Sequence, residues 1–294
     1  MSAVFCLILL AAAPVAWALP SAPGREKIDA SLREAVHSVP IPSEAASIVV
    51  TSYRPHGNGP FPWIVLSHGT ATTLDANRAK GRYRPLYPVR EWVHRGYAVL
   101  VPMRRGYGPN GGEHLGDAYG SCAHPDFRRA GEGAALDLLA TVQWAKAQRD
   151  LDPRHWLLVG QSAGGFASIY AASKRPDGLV AVLAFSPGRG GEPDKRRGEP
   201  CGSDHLAKLI ASIAPQIAVP VLWFYAENDE YNGPRVQKLW FEAFRAAGGR
   251  GELFVAPSFP EARGHGVFPA RAGMPLWTAA VAGFFKSQGV ALPF

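Results

Sequence analysis

An α/β fold, with a mostly parallel central sheet and helices on both faces, follows from three features of the sequence. Short apolar runs alternate with longer segments of helical periodicity, the order that βαβ crossovers require. Runs such as Trp156-Leu157-Leu158-Val159 are apolar throughout, as strands covered on both faces are. Two Gly-, Pro- and Arg-rich stretches, 104–125 and 187–203, follow such runs, at the end of the sheet where open α/β folds hold their ligands.

Taken from the N-terminus, Ala3 to Ala13 is almost wholly apolar, and Ala16-Trp17-Ala18 offers small residues for cleavage after Ala18. Residues 1–18 therefore read as a signal peptide of an exported, periplasmic or secreted chain. The segment lacks a positive charge at its start, so an uncleaved anchor stays open. Residues 19–45, rich in Pro, Ala and Ser, form an N-terminal extension with a short helix expected at 28–37. Residues 46–294 are expected to form one domain with little or no cap, since 187–203 is short for one. Strands are expected at 47–53, 63–68, 97–102, 156–160, 180–185, 219–225 and 252–256. Helices are expected at 85–94, 126–148, 163–175, 204–214, 234–247 and 274–288. The longest carries Ala135, Leu138, Leu139, Val142 and Ala145 at three- and four-residue spacing, one buried stripe. Pro234 suits a first helical turn, and Gly248-Gly249 suits that helix's end.

Hydrophobic residues make up 47% of the 294 positions and charged ones 19%, which supplies a core and excludes disorder. The net charge of +7 comes from scattered Lys and Arg, with no basic helix interleaved with aromatics, so a nucleic-acid partner is not expected. After the signal no run is long and apolar enough to cross a bilayer, and stable membrane insertion after cleavage is not expected. Cys6 leaves with the signal. Cys122 and Cys201 are then expected to pair in an oxidising compartment, two separate buried thiols being the alternative. The bridge would tie 104–125 to 187–203 at the mouth of the site.

Gly160-Gln161-Ser162-Ala163-Gly164 lies between an expected strand and an expected helix. That context turns a common string into a nucleophile elbow, a tight turn that lifts the serine hydroxyl above the sheet. A serine needs a base to take its proton and a third group to hold that base, and here they should follow in the order serine, acid, histidine. Asp229 is the preferred acid because it lies just beyond an apolar run; Glu227, Glu230 and the more distant Asp204 are the alternatives. His265, flanked by Gly264 and Gly266 after the last expected strand, is the base, and His205 is a weaker rival because it precedes the acid. An oxyanion hole needs two aimed N–H groups. Ala163 supplies one; Thr70, in Ser67-His68-Gly69-Thr70-Ala71, is chosen for the other, with Gly69 and Ala71 beside it. His68 reads as a residue that orients this turn. No metal cluster, phosphate loop or dinucleotide fingerprint is present in the sequence, so no cofactor or metal is expected.

The His68-Gly69 turn, Arg105-Gly106-Tyr107-Gly108, Gly160 to Gly165, Asn228-Asp229-Glu230 and Gly264-His265-Gly266 together resemble the α/β-hydrolase superfamily, and within it the dienelactone-hydrolase-like and prolyl-oligopeptidase-like branches. The resemblance implies hydrolysis of a small-molecule carboxylic ester through an acyl-enzyme, and a pocket or structural role, assigned here to substrate binding, for Arg105 and Tyr107. Dienelactone hydrolases proper use cysteine where this chain has serine, which favours general ester chemistry. Two other readings stand beside it: a serine peptidase of prolyl-oligopeptidase type, and a non-catalytic binding protein on the same fold. Candidate pocket aromatics are Tyr107, Tyr119, Phe127, Trp223, Tyr231 and Phe268. The ester and the oligomeric state are not readable from the sequence.

Overall fold

The computed structural model describes residues 28–42, 44–71, 73–114 and 118–294. The expected signal segment and Cys6 lie outside the described residues. Eight strands form one sheet in the order β1-β2-β4-β3-β5-β6-β7-β8. They are β1 (Ala35–Ile41), β2 (Ala46–Tyr53), β3 (Phe61–Ser67), β4 (Ala98–Pro102), β5 (Leu151–Gln161), β6 (Leu179–Phe185), β7 (Val221–Ala226) and β8 (Gly251–Ala256). β1 runs antiparallel to β2 and β2 antiparallel to β4; from β4 across to β8 every pair is parallel. This is the α/β-hydrolase fold, with no cap domain among the described residues.

Strand side chains alternate between two buried layers. Trp63 and Val65 of β3 join one layer, while Ile64 and Leu66 join the other. Helices α3 (Phe127–Lys146), α4 (Ala163–Ala172), α5 (Ser203–Ile213) and α6 (Pro234–Ala246) cover the first face. Helices α2 (Leu86–His94) and α7 (Met274–Gln288) cover the second. Burial on both faces explains why the strands read as continuous apolar runs.

Two expectations for the N-terminal region are corrected. Residues 28–37 are not a helix: a single 3-10 turn, Ala30–Leu32, capped by Asp29, leads into β1. Residues 35–41, placed by the sequence in an extension, are an edge strand of the sheet, paired from Ala35↔Ser52 to Ile41↔Ala46. Val39 and Ile41 enter the core while Ser38 and Pro40 face out. Proline is tolerated there because an edge strand has one row of backbone groups unpaired. Behind β1, Glu34 is buried and accepts from Arg82 (2.8 Å), Arg84 (2.8 Å) and the Asp29 N–H (2.7 Å). The short helix α1 (Leu74–Arg78) was not expected from the sequence and follows the turn after β3.

Candidate active site

Ser162 sits between β5 and α4 with φ +58° and ψ −124°, a strained conformation for a non-glycine residue. The strain is over-determined by close packing. A Cβ on Gly160 would fall 2.2 Å from the Gly164 carbonyl oxygen, and one on Gly164 would fall 2.2 Å from the Ser67 oxygen. Only glycine at both positions lets β5 turn into α4 while lying against the end of β3. Ala163 opens α4, so its N–H has no partner within the helix and sits at the helix's positive end.

The turn after β3 lies directly over Ser162: a Cβ on Gly69 would be 3.2 Å from the Ser162 Cβ. His68 is buried and uses both ring nitrogens on backbone, Nδ1–H donating to the Gly69 carbonyl (2.7 Å) and Nε2 accepting from the Arg104 N–H (3.1 Å). Burial, with the Arg104 charge, pushes its basicity well below that of an ordinary histidine. Asn77, from α1, finishes the turn. Its Oδ1 accepts from the Ala71 N–H (2.7 Å), and its Nδ2 donates to Thr70 Oγ1 (2.9 Å) and the Ala71 carbonyl (3.1 Å). The Ala71 N–H is therefore engaged, and of the neighbours considered for an anion-binding donor it is the one removed. Asn77 escaped sequence reasoning because one Asn in a polar stretch carries no signal; a capping Thr73 three residues before Ala76 marks the short helix that carries it.

Asp229 follows β7 by three residues and is buried. Its carboxylate accepts the Tyr231 N–H (2.9 Å) and the Asn232 N–H (3.1 Å), and both its oxygens accept from His265 Nδ1–H, at 2.9 and 3.0 Å. The alternatives lie elsewhere, Asp204 exposed in the first turn of α5. Glu227 accepts from Ser258 (Oγ 2.6 Å), and Glu230 pairs with Arg197 (2.6 Å). The His265 loop is pinned beside the acid by the Glu230 N–H donating to the Arg263 carbonyl (3.0 Å). Tyr231 stacks on the imidazole with centroids 4.3 Å apart. His265 Nε2 is buried without a hydrogen-bond partner among the described residues, and both His265 and Ser162 line one cavity of about 480 Å³.

That cavity is walled by both Gly-rich stretches, through Ala118 to Gly120 and Gly188 to Glu192. A Cys122–Cys201 disulfide joins them, closing 79 residues of chain. Thr70 lines the cavity; so do Tyr119 and Tyr231 among the candidate aromatics, whereas Phe127, Trp223 and Phe268 are core.

The substrate-binding assignment of Arg105 and Tyr107 is corrected, because neither lines the cavity. Arg105 turns toward α3, bonding Asp137 through its N–H (2.8 Å) and Nε (2.7 Å), and pairs with Glu44. Its guanidinium is thus held by two carboxylates away from the cavity. Tyr107 is buried behind the turn after β3, its hydroxyl donating to Thr70 Oγ1 (3.0 Å) and its ring packed edge-on to His68. Among the described residues no group of three His, Cys, Asp or Glu could hold a metal, and no helix is long and apolar enough to cross a membrane.

Residues 44–197, just over half of the chain, match the family model described as X-Pro dipeptidyl-peptidase (S15 family). The chain belongs to the S15 family. The family match takes in the turn after β3 and Ser162 and stops before Asp229 and His265. No curated protein matches the chain. Among solved structures, the esterase Pf2001 of Pyrococcus furiosus is 17% identical over 90% of this chain and 97% of its own, with TM-score 0.62. A putative dienelactone hydrolase from Klebsiella pneumoniae is 19% identical over 85% of this chain and 98% of its own, with TM-score 0.56. The acylaminoacyl peptidase of Pyrococcus horikoshii is 16% identical over 87% of this chain but 41% of its own, with TM-score 0.59. At such identities the likeness concerns the α/β-hydrolase fold that this S15 member shares with them.

Proposed function

We propose that this protein is a serine hydrolase of small carboxylic esters that works through an acyl-enzyme. The observation that carries the reading is the Asp229–His265 hydrogen bond, with that imidazole and the elbow serine lining one cavity. Ser162 Oγ attacks the ester carbonyl while His265 Nε2 takes its proton. Asp229, bonded at Nδ1, fixes the tautomer that leaves Nε2 basic and balances the imidazolium that forms. The N–H groups of Ala163 and Thr70 receive the oxyanion, helped by the positive end of α4. Collapse of the tetrahedral species breaks the ester C–O bond, and His265 returns its proton to the departing alcohol. Water then repeats the sequence on the acyl-Ser162 carbonyl and releases the acid and the free serine.

Peptide cleavage is the second reading, favoured by the family's name. A dipeptidyl substrate presents a cationic N-terminus, which needs an available carboxylate. Among the described lining residues the one acid is Glu192, already bonded to Arg196 (2.9 Å) and Lys195 (3.3 Å). Arg189 lines the same cavity, where burial and then the Arg104 charge weaken its hold on a proton, and Arg104, Arg78 and Lys80 act on His114 as positive charges, so these surroundings disfavour an ammonium.

Purified protein should turn over p-nitrophenyl esters and take a fluorophosphonate label at Ser162, and Ser162→Ala should lose both while keeping its melting temperature. Unchanged turnover in Ser162→Ala would exclude this nucleophile. Faster cleavage of X-Pro amides than of matched esters would replace the ester reading by the peptidase one. A wild-type protein that takes no label would point to the non-catalytic alternative.

A further inference from the structure

Gln161 immediately precedes the nucleophile, lines the cavity and is partly buried. Its Nε2 donates to the His265 main-chain carbonyl at 3.1 Å, across 104 residues of sequence. The other end of the same amide faces the oxyanion turn: Oε1 would lie 2.6 Å from a Cβ placed on Gly69. One planar group therefore touches the loop that carries the base and the turn over the nucleophile. It grows from the residue bonded to Ser162 itself.

Resting on the serine-hydrolase reading above, we infer that Gln161 is a positioning residue that sets the distance between His265 and Ser162. The need for such a tether is visible in the loop that bears His265. Ala262 and Arg263 both hold positive φ (46° and 57°), and the loop leaves β8 through a run of irregular backbone. Asp229 controls the rotation and tautomer of the imidazole through Nδ1, yet it does not fix how far the loop stands from β5. The bond to the His265 carbonyl does, because it joins the backbone of the base to the residue next to the nucleophile. His265 Nε2 has no partner among the described residues, so the final approach of ring to hydroxyl falls to the substrate-bound state. A small error in that approach costs far more than one neutral hydrogen bond is worth to folding.

Two variants separate this role from plain packing. Gln161→Leu removes the donor; Gln161→Glu keeps the shape, but at neutral pH its carboxylate cannot donate to a carbonyl and repels it. The readouts are the rate and the end-point stoichiometry of fluorophosphonate labelling at Ser162, and kcat and KM on a p-nitrophenyl ester. Both variants should label to the wild-type end point but roughly ten- to a hundredfold more slowly, with kcat falling in step and KM nearly unchanged. A folding defect would lower the end point instead. Wild-type labelling rate in Gln161→Glu, or a change in KM alone, would overturn the inference and leave the hydrolase reading standing. A wild-type protein that takes no label at all would remove both.

Discussion

The Tyr231 ring lies over the His265 imidazole, with centroids 4.3 Å and planes 28° apart. Tyr231 also gives its N–H to the Asp229 carboxylate that holds the same imidazole at Nδ1. The Asp229 carboxylate is therefore held by the backbone of the residue that covers the imidazole. One face and one edge of the ring are fixed, and Nε2 remains as the nitrogen without a partner among the described residues.

Asp229→Asn is the sharpest test of this arrangement. The amide oxygen can still accept from Tyr231 and Asn232, so the turn survives. The amide nitrogen then faces His265 Nδ1 and favours the tautomer with a protonated Nε2. Turnover should fall by roughly 10⁴-fold with little change in KM. Steady-state kinetics beside a thermal melt checks it; a loss below tenfold would take Asp229 out of the triad.

Asn77→Ala should weaken the oxyanion turn without touching the triad. It removes the acceptor of the Ala71 N–H and a donor to Thr70. A misaimed donor typically costs about 3 kcal/mol of transition-state stabilisation, so kcat should drop by about 100-fold. The end point of Ser162 labelling should not change. Equal kcat in variant and wild type would show that the turn needs no support from α1.

Reduction of Cys122–Cys201 frees two walls of the cavity from each other. Closing a loop of 79 residues destabilises the unfolded chain by about 4.5 kcal/mol in the chain-entropy account. The Cys122→Ser/Cys201→Ser double variant should lose stability of that order in urea titration and show a raised KM. Identical KM in oxidised and reduced protein would mean the bridge serves stability alone.

Acid should destabilise the fold in a window set by half-buried and buried histidines: His37, lowered by burial and then Arg54, and above all His68 and His114. Burial first, then Arg104, holds His68 well below its ordinary 6.5. Burial, with Arg104 and Arg189 next, brings His114 to about 4. Between those values and 6.5 the unfolded chain binds protons that the folded chain refuses, so stability is present above 6.5 and declines as pH falls toward 4. His114→Asn should shrink the difference between melting temperatures measured near pH 7.5 and near pH 4.5. An unaltered difference would show that His114 titrates normally.

Glu34 ties the N-terminal segment into the domain. Its side chain is fully buried among Arg82, Arg84 and the Asp29 N–H. Glu34→Ala leaves buried guanidinium charge uncompensated and should cost roughly 3 kcal/mol in denaturant titration. A chain begun at residue 46, which also lacks β1, should fail to fold. Native stability in either would return residues 28–45 to the status of a dispensable extension.

Much of the architecture was legible because buried parallel strands are apolar throughout: the seven expected strands are all present, with ends moved by a few residues. β1 was hidden because His37, Ser38 and Pro40 break its apolar pattern, leaving Val39 and Ile41 as the inward pair. In the candidate site, glycine spacing at 160 and 164 spoke for the elbow, since one of the close contacts it permits, Gly160 on Gly164, is local. Arg105 misled because its partners lie far away in sequence: Asp137 on α3 and Glu44 before β2. A charged residue beside a strand end looks the same whether it faces a ligand or a buried acid. Asn77 and the Gln161 amide were silent for a related reason: their meaning is three-dimensional, one bonding backbone six residues back and the other backbone 104 residues on.

The reversed direction of β2 has an engineering consequence. Because β2 opposes β4, the turn from β1 into β2 emerges at the same rim as the carboxyl ends of β3 to β8, and Glu44 on it reaches Arg105 just past β4. A hairpin tip tolerates lengthening, while the crossover connections must each thread a helix. Residues grafted at that tip would rise beside the start of the 104–125 stretch, one wall of the cavity, and so extend this rim of the scaffold without disturbing any helix of the sheet's two faces.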